Sequence, residues 1–155
     1  MAQVVKSCIM NVFQMDTSEM DLSEIKAVRN NGLALEYTSI YLKNDKEIVM
    51  EAVRNNGLAL KYASENLKND REIVIEAVRN NGLALKYASN CLKDDKLIII
   101  EAIRNNGLAL EYASFDYKNN IDICVEAVYS NRLALQYAPN NFHNYLNRFI
   151  DFNNL

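Results

Sequence analysis

The sequence is poor in the residues that interrupt helices, with four glycines and one proline among 155 residues. A loop-rich all-β domain with a turn every ten residues or so needs many more of both, so that class of fold is disfavoured. No apolar run approaches the roughly 18 residues of a membrane span. Residues 1–14 lack the small-residue cleavage site of a secretory signal. We therefore expect a soluble, intracellular protein.

Residues that carry chemistry are equally scarce. The three cysteines, Cys8, Cys91 and Cys124, are far apart and form no C-x-x-C pair, which argues against a disulfide framework or a zinc site. We expect Cys91 and Cys124 to be small apolar fillers. His143 is the only histidine, so no Ser/His/Asp or Cys/His set is available, and no glycine-rich phosphate-binding motif occurs. We expect no enzyme activity, no cofactor, no metal and no small-molecule ligand.

What the sequence has instead is a repeat with a period of 25 residues. The motif Asn-Asn-Gly-Leu-Ala-Leu occurs at 30–35, 55–60, 80–85 and 105–110, and a fifth copy at 130–135 has lost its glycine. A unit of this length cannot bury its own apolar face, so neighbouring units must stack. The sequence predicts an all-α fold, an α-solenoid of five helix–turn–short-helix repeats with helical caps at both ends.

The repeat boundaries follow from the period. We place the five units at residues 20–44, 45–69, 70–94, 95–119 and 120–144. Residues 4–13 carry an apolar stripe at helical spacing, and a second stripe begins at Phe142. These stripes predict an N-terminal cap in residues 1–19 and a C-terminal cap in residues 145–155.

Both ends of the first helix of each unit are marked. Aspartate or asparagine is the predicted N-cap, at Asp45, Asp70, Asp95 and Asn120. Asn44 and Asn69 are competing caps one residue earlier, because a glutamate would then stand at the third helical position as in a capping box. At the other end, Arg-Asn-Asn-Gly at 54–57 predicts that the glycine ends the helix in the left-handed conformation.

The second segment, residues 58–64, has two interpretations. Leucine and alanine are strong helix formers and recur four residues apart, which favours a two-turn helix. The alternation Leu-x-Leu also fits the strand of a leucine-rich repeat. The segment lacks β-branched residues and the asparagine expected after Leu-x-Leu, so we favour the helix.

The whole unit has the pattern D-x-E-I-V-x-x-A-V-x-N-N-G-L-A-L-x-Y-A-S. This pattern resembles a repeat family classed only as a domain of unknown function, which is common in giant DNA viruses of amoebae and is also found in some protists and intracellular bacteria. The resemblance covers residues 20–139. It implies an all-helical array and a viral or host-associated source, and it supplies no activity, cofactor or catalytic residue.

Residues that recur in every unit are expected to serve packing. The tyrosine series Tyr37, Tyr62, Tyr87, Tyr112 and Tyr137 is interpreted as half-buried core aromatics, against the alternative of a stacking surface for bases. The asparagines are expected to occupy helix ends with their amides bonded to nearby carbonyls. Glutamates at 51, 76 and 101, three residues before arginines, are expected to form weak ion pairs within and between repeats.

Positions where the pattern breaks are the candidates for binding. Apolar or aromatic bulk replaces polar groups at Ile40, Tyr41, Phe115 and Tyr129, and a variable charged position holds Glu36, Lys61, Lys86 and Glu111. Such positions are where repeat scaffolds encode partner specificity. Drift without selection explains the same variation, and the sequence does not choose between the two accounts.

Three function hypotheses follow. The first is a non-catalytic scaffold for protein–protein interaction, with a viral protein that engages a host factor as its specific form. The second is a structural, self-assembling homo-oligomer, such as a virion component, driven by the apolar caps. The third is nucleic-acid binding through the arginines and the series Lys43, Lys68, Lys93 and Lys118. The net charge of −3 argues against the third, because a nucleic-acid binder normally has a basic excess.

Overall fold

The computed structural model describes residues 17–153 of the chain. All regular structure in this range is helical. The prediction of an all-α fold is therefore confirmed, and the strand interpretation of residues 58–64 is wrong. The predicted cap helix in residues 4–13 lies outside the described residues.

The unit that follows Asp45 shows how each repeat is built. It contains a long α-helix, Lys46–Asn55, then a 3₁₀ helix, Gly57–Tyr62, and then a single-turn α-helix, Glu65–Lys68. The segment expected to be a two-turn helix is thus 3₁₀ in type. The single-turn helix Glu65–Lys68 is a third helical segment that the predicted helix–turn–short-helix unit did not include.

The same order of elements recurs along the chain. The α-helices are α1 (Thr17–Asn30), α2 (Ile40–Lys43), α3 (Lys46–Asn55), α4 (Glu65–Lys68), α5 (Arg71–Asn80), α6 (Lys96–Asn105), α7 (Phe115–Lys118), α8 (Ile121–Ser130) and α9 (Asn140–Asn153). The 3₁₀ helices are Gly32–Tyr37, Gly57–Tyr62, Gly82–Tyr87, Gly107–Tyr112 and Arg132–Tyr137, and a sixth, Leu92–Asp94, replaces the single-turn α-helix of one repeat.

The repeats stack in two parallel layers. Long helices pack against the long helices of adjacent repeats, and the major 3₁₀ helices pack against one another in the same order. Each long helix from α3 to α8 also contacts the 3₁₀ helix of its own repeat and that of the preceding one. Between the layers lies one continuous apolar core, in which Val49, Ala52, Val53 and Leu60 of a single unit are fully buried. This is the predicted α-solenoid.

The long helices begin at the predicted aspartate caps. The carboxylate of Asp45 accepts hydrogen bonds from the backbone N–H groups of Glu47 and Ile48, at 2.9 and 3.1 Å. The equivalent residues Asp70, Asp95 and Asn120 make the same pair of bonds. The competing cap Asn44 instead accepts a bond from the Ser64 hydroxyl of the next repeat, at 2.6 Å. The structure therefore selects the aspartates.

The glycines have a different role from the predicted one. The long helix α3 is closed by Asn56 in extended conformation, with φ −149° and ψ 111°, and Gly57 begins the following 3₁₀ helix. None of the glycines has a positive φ, so the prediction of a left-handed helix terminator is wrong. A Cβ built on Gly57 would overlap the carbonyl oxygen of Ala77 and lie 3.0 Å from the backbone nitrogen of Asn81. Glycine is required because the next long helix approaches the backbone closely.

The first asparagine of the second, third and fourth Asn-Asn pairs joins adjacent repeats. Asn80 accepts a hydrogen bond from the backbone N–H of Gly57, at 2.7 Å, and its amide donates to the carbonyl of Arg54, at 2.9 Å. Asn55 and Asn105 make the same two bonds to the repeat before them. The expectation that these amides bond to neighbouring carbonyls is confirmed.

At the C-terminal end of the stack, α9 packs against α8 and buries Leu146 and Ile150. The helix begins at Asn140 and so crosses the boundary expected at residues 144 and 145. Pro139 precedes it and has no N–H to donate to the preceding repeat, where serines at this position bond to a lysine carbonyl. The corresponding carbonyl, that of Lys118, accepts a bond from the thiol of Cys124 instead, at 3.1 Å.

Candidate interaction surfaces

Three of the predicted binding residues lie on the single-turn helices. Ile40 and Tyr41 begin α2 and are 74% and 81% exposed, and Phe115 begins α7 and is 78% exposed. The backbone N–H of the N-cap Ser114 donates to the Lys93 carbonyl of the preceding repeat at 3.3 Å, whereas that of the N-cap Ser39 donates to the Glu24 carboxylate of its own repeat at 3.0 Å. The backbone is fixed there while the next two side chains point into solvent.

These apolar residues do not form one patch. Ile40 and Phe115 occupy the same position three repeats apart, and the intervening repeats carry the polar residues Glu65 and Asn90. With about 9 Å between neighbouring packed helices, the separation is on the order of 27 Å. The structure therefore presents two separate apolar points along one edge, both within reach of a single extended or folded partner.

Tyr129 belongs to a different surface, the outer face of the long helices. It is 64% exposed and takes the position at which other repeats carry arginine. Those arginines bridge adjacent repeats in the pairs Arg29–Glu51, Arg54–Glu76, Arg79–Glu101 and Arg104–Glu126, at 2.8 to 3.4 Å. The hydrogen bond that the Arg79 guanidinium donates to the Glu101 carboxylate raises the pKa of Arg79. The expected ion pairs thus form between repeats, and exposed pairs of this kind contribute only tenths of a kcal/mol each.

The remaining predicted residues, Glu36, Lys61, Lys86 and Glu111, follow the exposed side of the 3₁₀ layer, which we call the 3₁₀ face. Each precedes a tyrosine of the repeated series. The tyrosines at 62, 87, 112 and 137 are half-buried against the core, as predicted, whereas Tyr37 is 82% exposed. The 3₁₀ face is therefore a row of amphipathic rings flanked by a row of variable charges.

Charges and rings on this face interact directly. The Lys61 ammonium lies 5.0 Å from the ring centre of Tyr62, and the Lys86 ammonium lies 5.7 Å from that of Tyr112 in the next repeat. Glu111 accepts a hydrogen bond from the Tyr137 hydroxyl, which raises the pKa of that tyrosine. The pKa of Tyr112 is raised by burial and then by the same carboxylate. The sequence places Lys61 beside Tyr62, but the contact between Lys86 and the following repeat depends on the stacking.

The long-helix face has shallow grooves between repeats. One of about 320 Å³ lies between α6 and α8, and one of about 560 Å³ lies between α3 and α5. The second is lined by Lys46, which pairs with Asp70 at 3.0 Å and with Glu72 at 2.7 Å. The charges that line the second groove thus largely neutralise one another, whereas the first groove is also lined by the apolar side chains of Ile100, Tyr117 and Ile123.

The lysine series suggested for nucleic-acid binding is also used internally. Lys43 donates to the backbone carbonyl of Glu36 at 2.8 Å, and Lys118 donates to that of Glu111 at 2.6 Å. Lys68 pairs with a glutamate three residues earlier, and partial burial lowers the pKa of Lys93. These lysines support the 3₁₀ layer and do not form an open basic stripe.

Reactive side chains are dispersed over the part of the chain that the structure describes, where no group of three metal-ligating residues converges. Cys124 is buried, as expected of an apolar filler, and burial raises the pKa of its thiol to about 11. Cys91 is exposed, so its predicted role as a filler is wrong. His143 lies 2.9 Å from the carbonyl oxygen of Ala138, which holds the imidazole against the backbone. No helix within residues 17–153 is long and apolar enough to cross a membrane.

One family model matches the chain, over residues 25–66, 49–93 and 95–143, and its description is "Domain of unknown function (DUF4116)". The three stretches together span most of the stacked repeats. No curated protein and no solved structure matches the chain.

Proposed function

The chain belongs to the DUF4116 family, and from that premise we propose that it is a non-catalytic scaffold whose variable, exposed side chains bind another protein. The observation that supports this proposal is the difference in role between recurring positions, which hold the repeats together, and variable positions, which are exposed. Recurring polar residues bond to adjacent repeats, as Asn80 does, whereas Tyr41 and Phe115 are about four-fifths exposed. Exposed aromatics on a rigid backbone are effective binding anchors, because few rotatable bonds must be ordered on binding.

The specific form of the proposal is a viral protein that engages a host factor. The support is the resemblance of the repeat pattern to a family common in giant viruses of amoebae. A host protein would contact the two apolar points on the single-turn helices at the same time.

The test is affinity capture with quantitative mass spectrometry from an amoebal lysate. The variant Tyr41→Ser with Phe115→Ser removes the exposed aromatic ring from each apolar point, and Glu65→Ser with Asn90→Ser changes exposed polar residues on the same edge. We expect the wild-type chain and the polar control to retain a common set of proteins that the aromatic variant loses. Retention of the same set in the same amounts by all three proteins would contradict the proposal.

Self-assembly is the second candidate, and exposed apolar residues at the C-terminal end of the stack favour it. Leu133 is 65% exposed, Tyr145 58% and Phe152 86%. If copies associate through this end, the mass measured by light scattering should rise with concentration, and Leu133→Ser with Phe152→Ser should abolish the rise. A constant monomer mass over the concentration range would exclude this candidate.

Nucleic-acid binding is the weakest of the three candidates, since the arginine series forms ion pairs and Lys43 and Lys118 bond to backbone carbonyls. It requires salt-sensitive binding to any duplex. A flat titration of duplex DNA at low ionic strength is the expected result.

A further inference from the structure

Four equivalent positions of the chain carry the same reactive dipeptide. Asparagine is followed by glycine and then leucine at Asn31, Asn56, Asn81 and Asn106. An asparagine before glycine cyclises readily, because no side chain hinders attack of the glycine nitrogen on the asparagine amide. The four asparagines share one backbone conformation, with φ between −153° and −147° and ψ between 107° and 111°. Differences in their reactivity must therefore come from their surroundings.

Stacking of the repeats holds the attacking nitrogen at three of these positions. The N–H groups of Gly32, Gly57 and Gly82 donate to the side-chain oxygens of asparagines in the next repeat, at 2.8, 2.7 and 2.7 Å. Each acceptor is held in turn by a bond from its own amide to an arginine carbonyl. A nitrogen in such a bond keeps its proton and is directed at the next repeat, so attack requires local separation of the two repeats.

The fourth position is held differently. The N–H of Gly107 donates to Oγ of Ser130, at 3.0 Å, because the fifth repeat has serine where the others have asparagine. The Ser130 hydroxyl in turn bonds to the carbonyl of Arg104 at 3.4 Å, against 2.9 to 3.3 Å for the equivalent asparagine bonds. This junction is also the last one between repeats, since α9 and not a sixth repeat follows the fifth. The Gly107 nitrogen is therefore held less firmly than its three counterparts.

We propose that Asn106 is a site of spontaneous modification, at which the side-chain amide is converted to a carboxylate. Hydroxide removes the proton from the Gly107 nitrogen, which then forms a bond to Cγ of Asn106. The Cγ–Nδ2 bond breaks, and ammonia leaves with a proton taken from water. Water then opens the five-membered imide at either carbonyl and gives aspartate or isoaspartate. The inference is independent of the proposed function, because it involves no partner.

The two products affect the stack differently. Aspartate keeps the bond that the Asn106 side chain accepts from the N–H of Leu108, at 3.0 Å, because a carboxylate oxygen is an equally good cap. Isoaspartate carries the former side-chain methylene in its main chain, so the chain is longer by one carbon atom after α6. This product changes the backbone at the point where Gly107 packs against Ala127 of the fifth repeat.

The test is incubation of the full chain, folded and in guanidinium chloride, in mildly alkaline buffer made with heavy-oxygen water. Peptide mapping in ordinary water follows, so that heavy oxygen marks only the hydrolysis that preceded digestion. In the unfolded chain we expect similar rates at the four asparagines, because their local sequences are the same. In the folded chain Asn106 should react about fivefold faster than Asn56 and Asn81, the factor that one ordinary hydrogen bond contributes.

Asn31 separates control by bonding from control by exposure. It is exposed, whereas Asn106 is half-buried. A faster reaction at Asn31 than at Asn106 in the folded chain would show that access of solvent controls the rate, and it would overturn the inference.

Matched variants exchange the two kinds of acceptor. Ser130→Asn supplies the amide acceptor and should slow the reaction at Asn106 to the rate at Asn56. Asn80→Ser gives Gly57 a hydroxyl acceptor and should accelerate the reaction at Asn56, while an unchanged rate at Asn106 controls for general loss of stability. Equal rates at Asn56 and Asn106 in the folded chain, or an unchanged rate at Asn106 in Ser130→Asn, would contradict the proposal. So would the absence of reaction at Asn106 over a period in which the unfolded chain reacts.

Discussion

Replacement of Gly82 by alanine tests the packing between repeats directly. An added Cβ at this position would overlap the carbonyl oxygen of Ala102 and lie 3.1 Å from the backbone nitrogen of Asn106. Both atoms belong to the backbone of α6 or its C-cap, so no side-chain rotation relieves the overlap. The two repeats must move apart, and the hydrogen bond of 2.7 Å from the Gly82 N–H to Asn105 lengthens with them.

The magnitude follows from two opposed effects. Overpacking of a well-packed interior typically costs about 1–3 kcal/mol. Because the φ of Gly82 is not positive, alanine fits its backbone conformation and recovers about 0.4–1 kcal/mol by restricting the unfolded chain. We expect Gly82→Ala to lower the free energy of unfolding by about 1–2 kcal/mol, and Gly82→Val to lower it further. The melting temperature should fall by about 2–4 °C for each kcal/mol of stability lost.

The assay is urea unfolding followed by far-ultraviolet circular dichroism, with Arg132 as the matched position. Arg132 occupies the equivalent site in the last repeat and is exposed, so Arg132→Ala should change stability by no more than about 0.5 kcal/mol. If Gly82→Ala were as stable as the wild-type chain, or more so, the close approach of the two repeats would be refuted, since only the favourable effect on the unfolded chain would remain.

Three further predictions test an inter-repeat hydrogen bond, a helix cap and the exposure of the cysteines. Asn105→Ala should lower the free energy of unfolding in urea by about 1–2 kcal/mol, because two inter-repeat hydrogen bonds are lost. The control Asn30→Ala should be near neutral, since the Asn30 side chain makes no such bonds to the described residues. The hydrogen bond from Arg71 is the main reason that the pKa of Asp95 is lowered. The ionised carboxylate therefore stabilises the folded protein above the unfolded pKa of about 3.9, and this contribution is lost as pH falls through the lower folded pKa. Asp95→Asn should flatten the fall in melting temperature over that acidic range. In the folded protein a maleimide at mildly alkaline pH should modify exposed Cys91 but spare buried Cys124, whose pKa is about 11, and peptide mapping should find both modified after denaturation.

The architecture could be predicted from sequence because it is a property of the period. Equal spacing without insertions forces equal environments, and apolar residues at helical spacing within each unit identify the buried side. The N-caps were predictable for a local reason, since an aspartate can satisfy the N–H groups two and three residues ahead without help from the rest of the fold. The observed bonds of Asp45 to Glu47 and Ile48 are of this kind.

The glycines show where local reasoning fails. Arg-Asn-Asn-Gly at a helix end is typical of a glycine that ends the helix in the left-handed conformation. The sequence of one unit does not distinguish this role from that of a glycine required because another backbone packs closely against it. The contact with Ala77 or Ala102 exists only when the next repeat is present. The same limitation applies to the second helix, because six residues that form one of the two packed layers adopt the 3₁₀ form through contacts with adjacent repeats as much as through their own propensity.

For the candidate surfaces, exposure was predictable and proximity was not. Ile40 and Phe115 are exposed as variable positions should be, but their separation by three repeats becomes meaningful only once the stack has a known spacing. The contact of the Lys86 ammonium with the ring of Tyr112 likewise joins residues 26 positions apart.

The ends of the stack explain part of the variation that the sequence left ambiguous. Five stacked repeats have four junctions, and the described residues contain four bridging pairs, from Arg29–Glu51 to Arg104–Glu126. The position of the glutamate is taken by Lys26 in the first repeat and that of the arginine by Tyr129 in the last, where no junction of the same kind requires them. Arg132 likewise replaces the glycine in the last repeat, which is not followed by another repeat of the same kind.

Departures of this kind have a structural cause, so Tyr129 carries less weight as a binding residue than its exposure suggests. Tyr41 and Phe115 have no such explanation, because the single-turn helices expose these positions in interior and terminal repeats alike. Drift would place polar and apolar residues there with no effect on stability. Tyr41→Ser and Phe115→Ser should therefore leave urea unfolding unchanged within about 0.5 kcal/mol. A larger loss would mean that these side chains stabilise the stack, and it would remove the argument that they are reserved for a partner.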